Sequence, residues 1–354
     1  MTAMARIVIG ERVIGAGAPV FIVAEAGVNH NGDLALAREL VDVAAEAGAD
    51  AVKFQTFSAD ALVSRDAPKA AYQRETTGAG GSQREMLRRL ELGLVEHAQL
   101  KEHCAKRGIL FFSAPFDEAS ADALESLDVA LFKLPSGELT NLPFLRHLAS
   151  KGRPIVVSTG MATLDEVATA LATVREGGDP PVALLHCLSA YPAPPSEMNL
   201  RAMDTLRDRF GCPVGLSDHT VGLAVAIAAV GRGASIIEKH FTVDKALPGP
   251  DHRASLDSQE LAELVRGIRE VEAALGDGDK RPMPSELDTR RVARKSLVAA
   301  RPVAAGQRLT PELIAVKRPG TGIPPADLPR VLGRRAKRAL TPDEAIQWAD
   351  LDEA

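Results

Sequence analysis

Eight times between residues 21 and 276 a short run rich in β-branched and aliphatic residues ends in polar or glycine residues. After each run comes an Ala/Leu/Glu-rich stretch of helical period, such as LALARELVDVAAEAGAD or LDEVATALATVREGG. The runs begin at Phe21 (FIVAEAG), Ala51 (AVKFQTF), Ile109 (ILFFSAP), Leu131 (LFKLPSG), Pro154 (PIVVSTG), Val182 (VALLHCLSAYP), Pro213 (PVGLSDHT) and Ser235 (SIIEKHFT). Strand–helix alternation demands parallel strands joined by helical crossovers, and eight such units point to a closed (β/α)8 TIM barrel in the α/β class. The starts lie 22 to 31 residues apart except from the second run to the third. That gap, residues 58–108, contains TTGAGGS and predicts a long loop with helices over the barrel mouth.

Two segments flank the ladder. RIVIGERVIGAG predicts a β-hairpin capping the bottom of the barrel. The last barrel helix, 258–275, gives way to GDGDKRPMPSE, a polar Gly/Pro linker. Beyond residue 290 the alternation stops, and KSLVAARPVAAGQRLTPELIAVKRPGTGIPP suits a small module of short strands and turns. The expected organisation is therefore a barrel over 1–276, a linker over 277–289 and a small domain over 290–354.

Composition narrows the function. A net charge of −5 opposes general attraction to nucleic acid, yet leaves room for a few cations in one pocket. No apolar run is long enough to span a bilayer, and Met1 to Gly10 lacks a signal-peptide apolar region with a cleavage site. Cys104, Cys187 and Cys212 form no C-x-x-C pair, so neither a disulfide framework nor a thiolate zinc site is indicated. The expectation is a reduced, cytoplasmic protein.

Inner barrel positions should be apolar, so polar residues at the carboxyl ends of strands are the informative exceptions. Glu25 ends the first strand; Lys53 and Gln55 the second; Ser113 the third; Lys133, Ser136 and Glu138 the fourth. Ser158 ends the fifth, Ser189 and Tyr191 the sixth, Ser217 and His219 the seventh, Glu238 and His240 the eighth. On one strand such an ending is ordinary contact with solvent; on all eight it marks a site. His219 and His240 end adjacent strands, so their rings can converge on one ion. Two imidazoles with open oxygen positions suit manganese, iron, zinc or a magnesium-like ion. Taken singly, each could equally be a hydrogen-bonded structural histidine. Lys53 and Lys133, with the serines, form a cationic, hydroxyl-rich floor for a small substrate bearing phosphate and carboxylate.

These residues lie in segments that together resemble the sialic acid synthase family: VAEAGVNHNGD, AVKFQTF, FKLPSGELTNLPFLR, PIVVSTGMATLDEV, GLSDHTVG, EKHFTVDKALPGPDH and KRPGTGI. The resemblance runs in order over nearly the whole chain. It implies condensation of phosphoenolpyruvate with an amino-sugar aldehyde, N-acetylmannosamine or a relative, to a nonulosonic acid. It also implies a C-terminal antifreeze-like (SAF) domain of β-clip type and a domain-swapped homodimer. The family pattern assigns the metal to His219 and His240, with Mn2+ the first expectation and Mg2+ or Co2+ as alternatives. It assigns phosphoenolpyruvate contacts to Lys53, Lys133, Ser136, Ser158 and Ser217, with Ser113 and Ser189 counted alongside them. Sugar contacts fall on Gln55, Glu138, Tyr191, Asp251 and, from the partner chain, Arg318. Glu25 and Glu238 match acidic residues near the metal and its water.

Four positions depart from the usual pattern: Ala114 replaces a phosphate-holding threonine, Leu188 and Ser189 stand where Thr-Asn or Thr-Ser is usual, and Thr76 replaces an asparagine. Ser113 is the substitute hydroxyl beside Ala114. The departures touch the sugar more than the reaction, and LPGPDH favours the neuraminic or legionaminic branch over the pseudaminic one. Three rivals stay open. One is a Schiff-base pyruvate aldolase using Lys133 or Lys53. Another is a metal hydrolase, weakened by the lack of H-x-H after the first strand. The third is a carbohydrate- or ice-binding role for the small C-terminal module.

Overall fold

Alternating burial along the first strand segment already shows how the chain closes. The computed structural model describes residues 6–353, so the first five residues of the N-terminal stretch read for a signal sequence lie outside them. β1 (Arg6–Ile9) and β2 (Arg12–Gly15) pair antiparallel, with Ile9 opposite Arg12. The barrel strands follow: β3 (Phe21–Gly27), β4 (Ala51–Thr56), β5 (Leu110–Pro115), β6 (Phe132–Leu134), β7 (Ile155–Ser158), β8 (Val182–Cys187), β9 (Val214–Asp218) and β10 (Ile236–His240). They form one eight-stranded sheet in the order β5-β4-β3-β10-β9-β8-β7-β6, and β5 packs beside β6 to close the ring. Each begins within one residue of its sequence expectation.

The crossover helices start where side-chain caps replace missing backbone partners. Asp33 caps the helix Leu34–Glu46, and Thr163 with Glu166 and Asp257 with Glu260 form reciprocal capping boxes. The long connection after β4 holds the helices Ala59–Leu62, Ala71–Thr77, Gln83–Arg88 and Leu94–Arg107.

Two apolar layers follow from the period-two alternation of strand side chains. Ile22, Ala24, Val52, Phe54, Val157 and Leu216 face outward and pack with the helices. Phe21, Val23, Ala51, Phe112, Val156, Ala183 and Ile236 face inward and meet Ile7, Ile9 and Ile14 of the hairpin. The hairpin therefore plugs the amino-terminal end of the barrel, and polar chemistry is left to the other end.

Asp277–Ala354 forms a second compact unit. It contains the helix Leu287–Ala293 and an antiparallel pair, β11 (Ser296–Ala299) with β12 (Ile314–Lys317). Leu297, Val303, Leu309, Ile323, Leu340 and Ile346 make its own core.

The loop after β3 generates a stability prediction. His30 is fully buried, and its Nδ1 accepts the Gly32 N–H at 3.0 Å, so the ring is neutral with its proton on Nε2. Burial first, then the neighbouring His97 and His252, pushes its pKa down to about 3. Between that value and the ordinary 6.5 the unfolded chain binds the extra proton. Stability from this group is thus complete above pH 6.5 and is lost as pH falls toward the folded value. From pH 7 to pH 5 it should cost the barrel about 2 kcal/mol. Urea unfolding of His30→Asn, whose amide oxygen can still accept the Gly32 N–H, should show a correspondingly shallower pH dependence. An unchanged dependence would contradict this assignment.

Candidate active site at the carboxyl end of the barrel

Inward alternation carries Glu25, Lys53, Lys133, Ser158, Ser217, Glu238 and His240 into one interior, one layer above the apolar plug. Register fixes their neighbours: Glu25 pairs with both Lys53 and His240, and Glu238 with Ser217. Four ionisable side chains meet at the floor. Lys53 Nζ lies 2.7 Å from Glu25 Oε2 and 3.7 Å from Glu238 Oε2, and Lys133 Nζ lies 3.5 Å from Glu238 Oε1. Ser217 Oγ donates to Glu238 Oε1 at 2.9 Å. All four ionisable residues are buried.

Burial sets these groups against each other. It favours a neutral Glu238, but Lys133, Lys53 and the Ser217 hydroxyl outweigh it and hold that carboxyl at about 2. For Glu25 burial prevails over Lys53, and the Glu238 charge adds to it, so the pKa rises to about 7. Lys53 overcomes its burial through Glu238 and Glu25 and is raised. Lys133 is lowered by burial despite Glu238. The floor thus contains a firm anion, Glu238, a firm cation, Lys53, and a carboxyl, Glu25, able to change charge, beside a lysine that burial disfavours.

A hydroxyl cluster adjoins the lysines. Ser136 Oγ accepts the Gly160 N–H at 3.1 Å, and Ser158 Oγ is buried without a hydrogen-bond partner. A Cβ at Gly160 would lie 2.3 Å from Ser189 Oγ and 2.7 Å from Ser136 Oγ, so only glycine lets these hydroxyls converge. Backbone N–H, serines and lysines together suit a phosphate or carboxylate.

On the opposite side the His219 and His240 rings lie 5.4 Å apart between centroids. His219 Nδ1 donates to the Leu188 carbonyl at 2.9 Å, which leaves its Nε2 lone pair free. Metal-bound imidazoles are oriented by such a second bond. Burial first of all keeps His240 neutral, and its Nδ1 is buried without a partner. Gly27, at φ +54°, leaves space beside them: a Cβ there would stand 3.3 Å from both Glu25 Oε1 and His240 Cε1. These observations fit a divalent ion on two imidazoles. Among the described residues no third His, Cys, Asp or Glu completes a ready-made ligand set. Oxygen ligands from water or substrate would have to fill the rest.

The remaining expected residues have distinct places. Gln55 Nε2 is 3.4 Å from Glu25 Oε1, and Tyr191 packs against His219 at a tilt of 44° with ring centroids 4.2 Å apart. Asp251 is buried with Oδ1 unpartnered, and burial lifts its pKa to about 6 against the pull of His219. Glu138 ends the turn Ser136–Glu138 and accepts from Asn141 Nδ2 at 2.8 Å. Arg318 is exposed on the second unit.

Ser113 corrects the sequence expectation. It stands in register with outward Phe54, whereas Ala114 stands beside inward Gln55. Its hydroxyl is 2.7 Å from Thr56 Oγ1, which is 2.9 Å from His97 Nε2. Strand alternation therefore turns Ser113 into the helical layer, where it cannot serve as the hydroxyl replacing a threonine at Ala114. His97 is fully buried and anchors this chain.

Two residues at the site were not anticipated. Cys187 Sγ lies 3.9 Å from His219 Nδ1 and 4.0 Å from Ser189 Oγ. Its even spacing from Ser189 and Tyr191 was a usable signal. Tyr72 stacks on Tyr191 with centroids 5.1 Å apart. It comes from the helix Ala71–Thr77, and no local pattern shows that this helix reaches the mouth.

Known proteins bear on the same arrangement. The NeuB family model matches residues 40–280 and the SAF domain model residues 294–352. N,N'-diacetyllegionaminic acid synthase of Legionella pneumophila is 48% identical over 96% of each chain. Human N-acetylneuraminate-9-phosphate synthase is 36% identical, covering 95% of this chain and 93% of that one. The crystal structure of N-acetylneuraminic acid synthetase from Leptospira borgpetersenii, in complex with citrate, is 36% identical. It superposes with a TM-score of 0.72 over 81% of this chain and 95% of that one.

The charged floor yields a direct test. Lys53→Met would leave Glu25 and Glu238 short of a cation and should destabilise the barrel by roughly 3 kcal/mol in chemical denaturation. Adding Glu25→Gln should restore most of that loss; no restoration would mean that the two charges are not coupled.

Proposed function

The chain belongs to the NeuB family, and from that premise we propose that it condenses phosphoenolpyruvate with an amino-sugar aldehyde to form a nonulosonic acid, releasing phosphate. The observation that carries this reading is the convergence of two buried lysines and a serine cluster with two histidines whose ring centroids lie 5.4 Å apart. Relatives named for legionaminic and neuraminic acid synthesis support the same reaction class. Their names also support the branch that LPGPDH suggests. The acceptor is N-acetylmannosamine or a related amino-sugar such as a 2,4-diacetamido-6-deoxy hexose.

In this mechanism Lys53 and Lys133 hold the phosphate and carboxylate of phosphoenolpyruvate, and the hydroxyls of Ser158, Ser189 and Ser136, the last held by the Gly160 N–H, complete the phosphate's hydrogen bonds. Ser217 orients Glu238, which with Glu25 keeps Lys53 charged and offsets part of the cost of burying Lys133. A divalent ion, Mn2+ first and Mg2+ or Co2+ as alternatives, supplies Lewis-acid polarisation of the acceptor aldehyde when bound by His219 and His240. Gln55, Glu138, Tyr191 and Asp251 orient the acceptor so that its aldehyde carbon faces C3 of phosphoenolpyruvate. The C3–carbon bond forms as the aldehyde C=O π bond breaks, the aldehyde oxygen takes up a proton to become a hydroxyl, and water adds at C2, where positive charge develops. Glu25, whose carboxyl is balanced between its two protonation states near neutrality, takes the proton from that water. Cleavage of the C2–O bond then releases phosphate and leaves the keto acid.

The SAF unit has a place in the same proposal. Exposed Arg318 reaches the acceptor at the partner's mouth in a domain-swapped homodimer. Three unpaired cysteines support a cytoplasmic setting. Mixing inactive Arg318→Ala and His219→Ala chains, with subunit exchange, should regain activity that neither has alone; no recovery would remove the trans role of Arg318.

Phosphate release should require both phosphoenolpyruvate and an acceptor from a panel of N-acetylmannosamine, its 6-phosphate and 2,4-diacetamido-6-deoxy hexoses. A chelator should abolish it, and Mn2+ should restore it. Oxygen-18 from water should enter C2 of the product; its appearance in released phosphate instead would sink this route. Ser158→Ala should raise the KM for phosphoenolpyruvate by roughly tenfold, the scale of one lost charge-assisted hydrogen bond, while Ser113→Ala leaves it near the parent value. Borohydride trapping of pyruvate on Lys133, with no effect of chelator, would favour an aldolase instead.

A further inference from the structure

The residues that precede the two histidines face the other way. Asp218 and Lys239 lie directly opposite each other in the β9–β10 register, on the outer side of the barrel wall. Lys239 Nζ donates to Asp218 Oδ2 at 2.6 Å, and their side chains are 2% and 0% exposed. The second Asp218 oxygen accepts the Thr220 N–H at 2.9 Å, and Lys239 Nζ also donates to the Thr220 carbonyl at 2.8 Å. One buried ion pair therefore grips both backbone polar groups of the residue after His219 and anchors them to the residue before His240.

His219 is fixed on its remaining sides as well. Its carbonyl accepts the Ala193 N–H at 2.9 Å, and its ring donates to Leu188. The backbone that carries the two imidazoles is thus held by contacts behind the mouth, in addition to the Tyr191 ring that lies against His219 within it. A buried ion pair is a poor device for stability alone, because apolar residues of similar volume usually do as well or better. Metal ligation, by contrast, needs ligand positions held to a few tenths of an ångström. The β9–β10 pairing ends at Asp218 and Lys239, so the ladder between these two strands does not reach the histidines.

We propose that Asp218 and Lys239 are positioning residues that set the spacing of His219 and His240 for a divalent cation, acting from behind the barrel wall. This inference rests on the two-histidine reading given above. Residues that orient metal ligands from behind typically contribute roughly 10–100-fold in metal affinity.

The test is Mn2+ binding to the purified full chain, followed by electron paramagnetic resonance of the free ion. Two charge-free double variants are compared with the parent: Asp218→Asn with Lys239→Gln, and Asp218→Leu with Lys239→Met. Neither leaves a buried unpaired charge, so either one that melts near the parent temperature decides the matter. The expected result is Mn2+ affinity lower by roughly 10–100-fold, with kcat largely recovered at saturating Mn2+. A folded double variant that binds Mn2+ as tightly as the parent overturns the clamp alone. If the parent shows no Mn2+ site that His219→Ala removes, the two-histidine reading fails and takes the clamp with it. If both double variants unfold, the pair is a stability element and the positioning role is wrong.

Discussion

Closing eight parallel strands into a ring sends every second side chain of every strand into one shared interior. That constraint organises the rest of the molecule. At the amino-terminal end the interior is filled by Phe21, Val23, Ala51, Phe112, Val156 and Ile236 and sealed by the isoleucines of the hairpin. One layer higher the same inward positions carry Glu25, Lys53, Lys133, Ser217 and Glu238. Residues separated by up to 213 positions along the chain, Glu25 and Glu238, thereby act on one lysine.

Charges held in such a place are costly unless they compensate one another. Lys53 stands between two carboxylates, and the Ser217 hydroxyl gives Glu238 a further donor. Burial still leaves its mark, since Glu25 rises to about 7 while Glu238 falls to about 2. A site with one firm anion, one firm cation and an adjustable carboxyl can accept a multiply charged substrate without rearranging its backbone. The neighbouring hydroxyls and the neutral His240 ring extend that capacity to phosphate and to a metal ion.

The outward half of the alternation is equally ordered, and here the sequence was read less well. The chain Ser113–Thr56–His97 binds the strand layer to the helix Leu94–Arg107, and Asp218–Lys239 ties β9 to β10. In sequence Ser113 resembles a site residue because a polar residue at a strand end looks the same whichever way it points. Counting from Lys53 and Gln55 across the ladder resolves it, but the count needs the register between strands, and register is a pairing property. Tyr72 was missed for a related reason: which helix of a long connection folds over the mouth depends on packing far along the chain.

Sequence alone determined the number and order of strands, the hairpin, the position of the small C-terminal module and nearly all the polar residues at strand ends. These rest on local period, capping residues and motifs, which are properties of neighbouring positions. Tertiary structure decided which polar residues face inward, which carboxyl keeps its proton, and how Tyr72, Cys187 and Asp218 join the two histidines. Those outcomes depend on register, burial and the distance between charges brought together from separate strands. No stretch of sequence contains such distances; they exist only once the ring has closed.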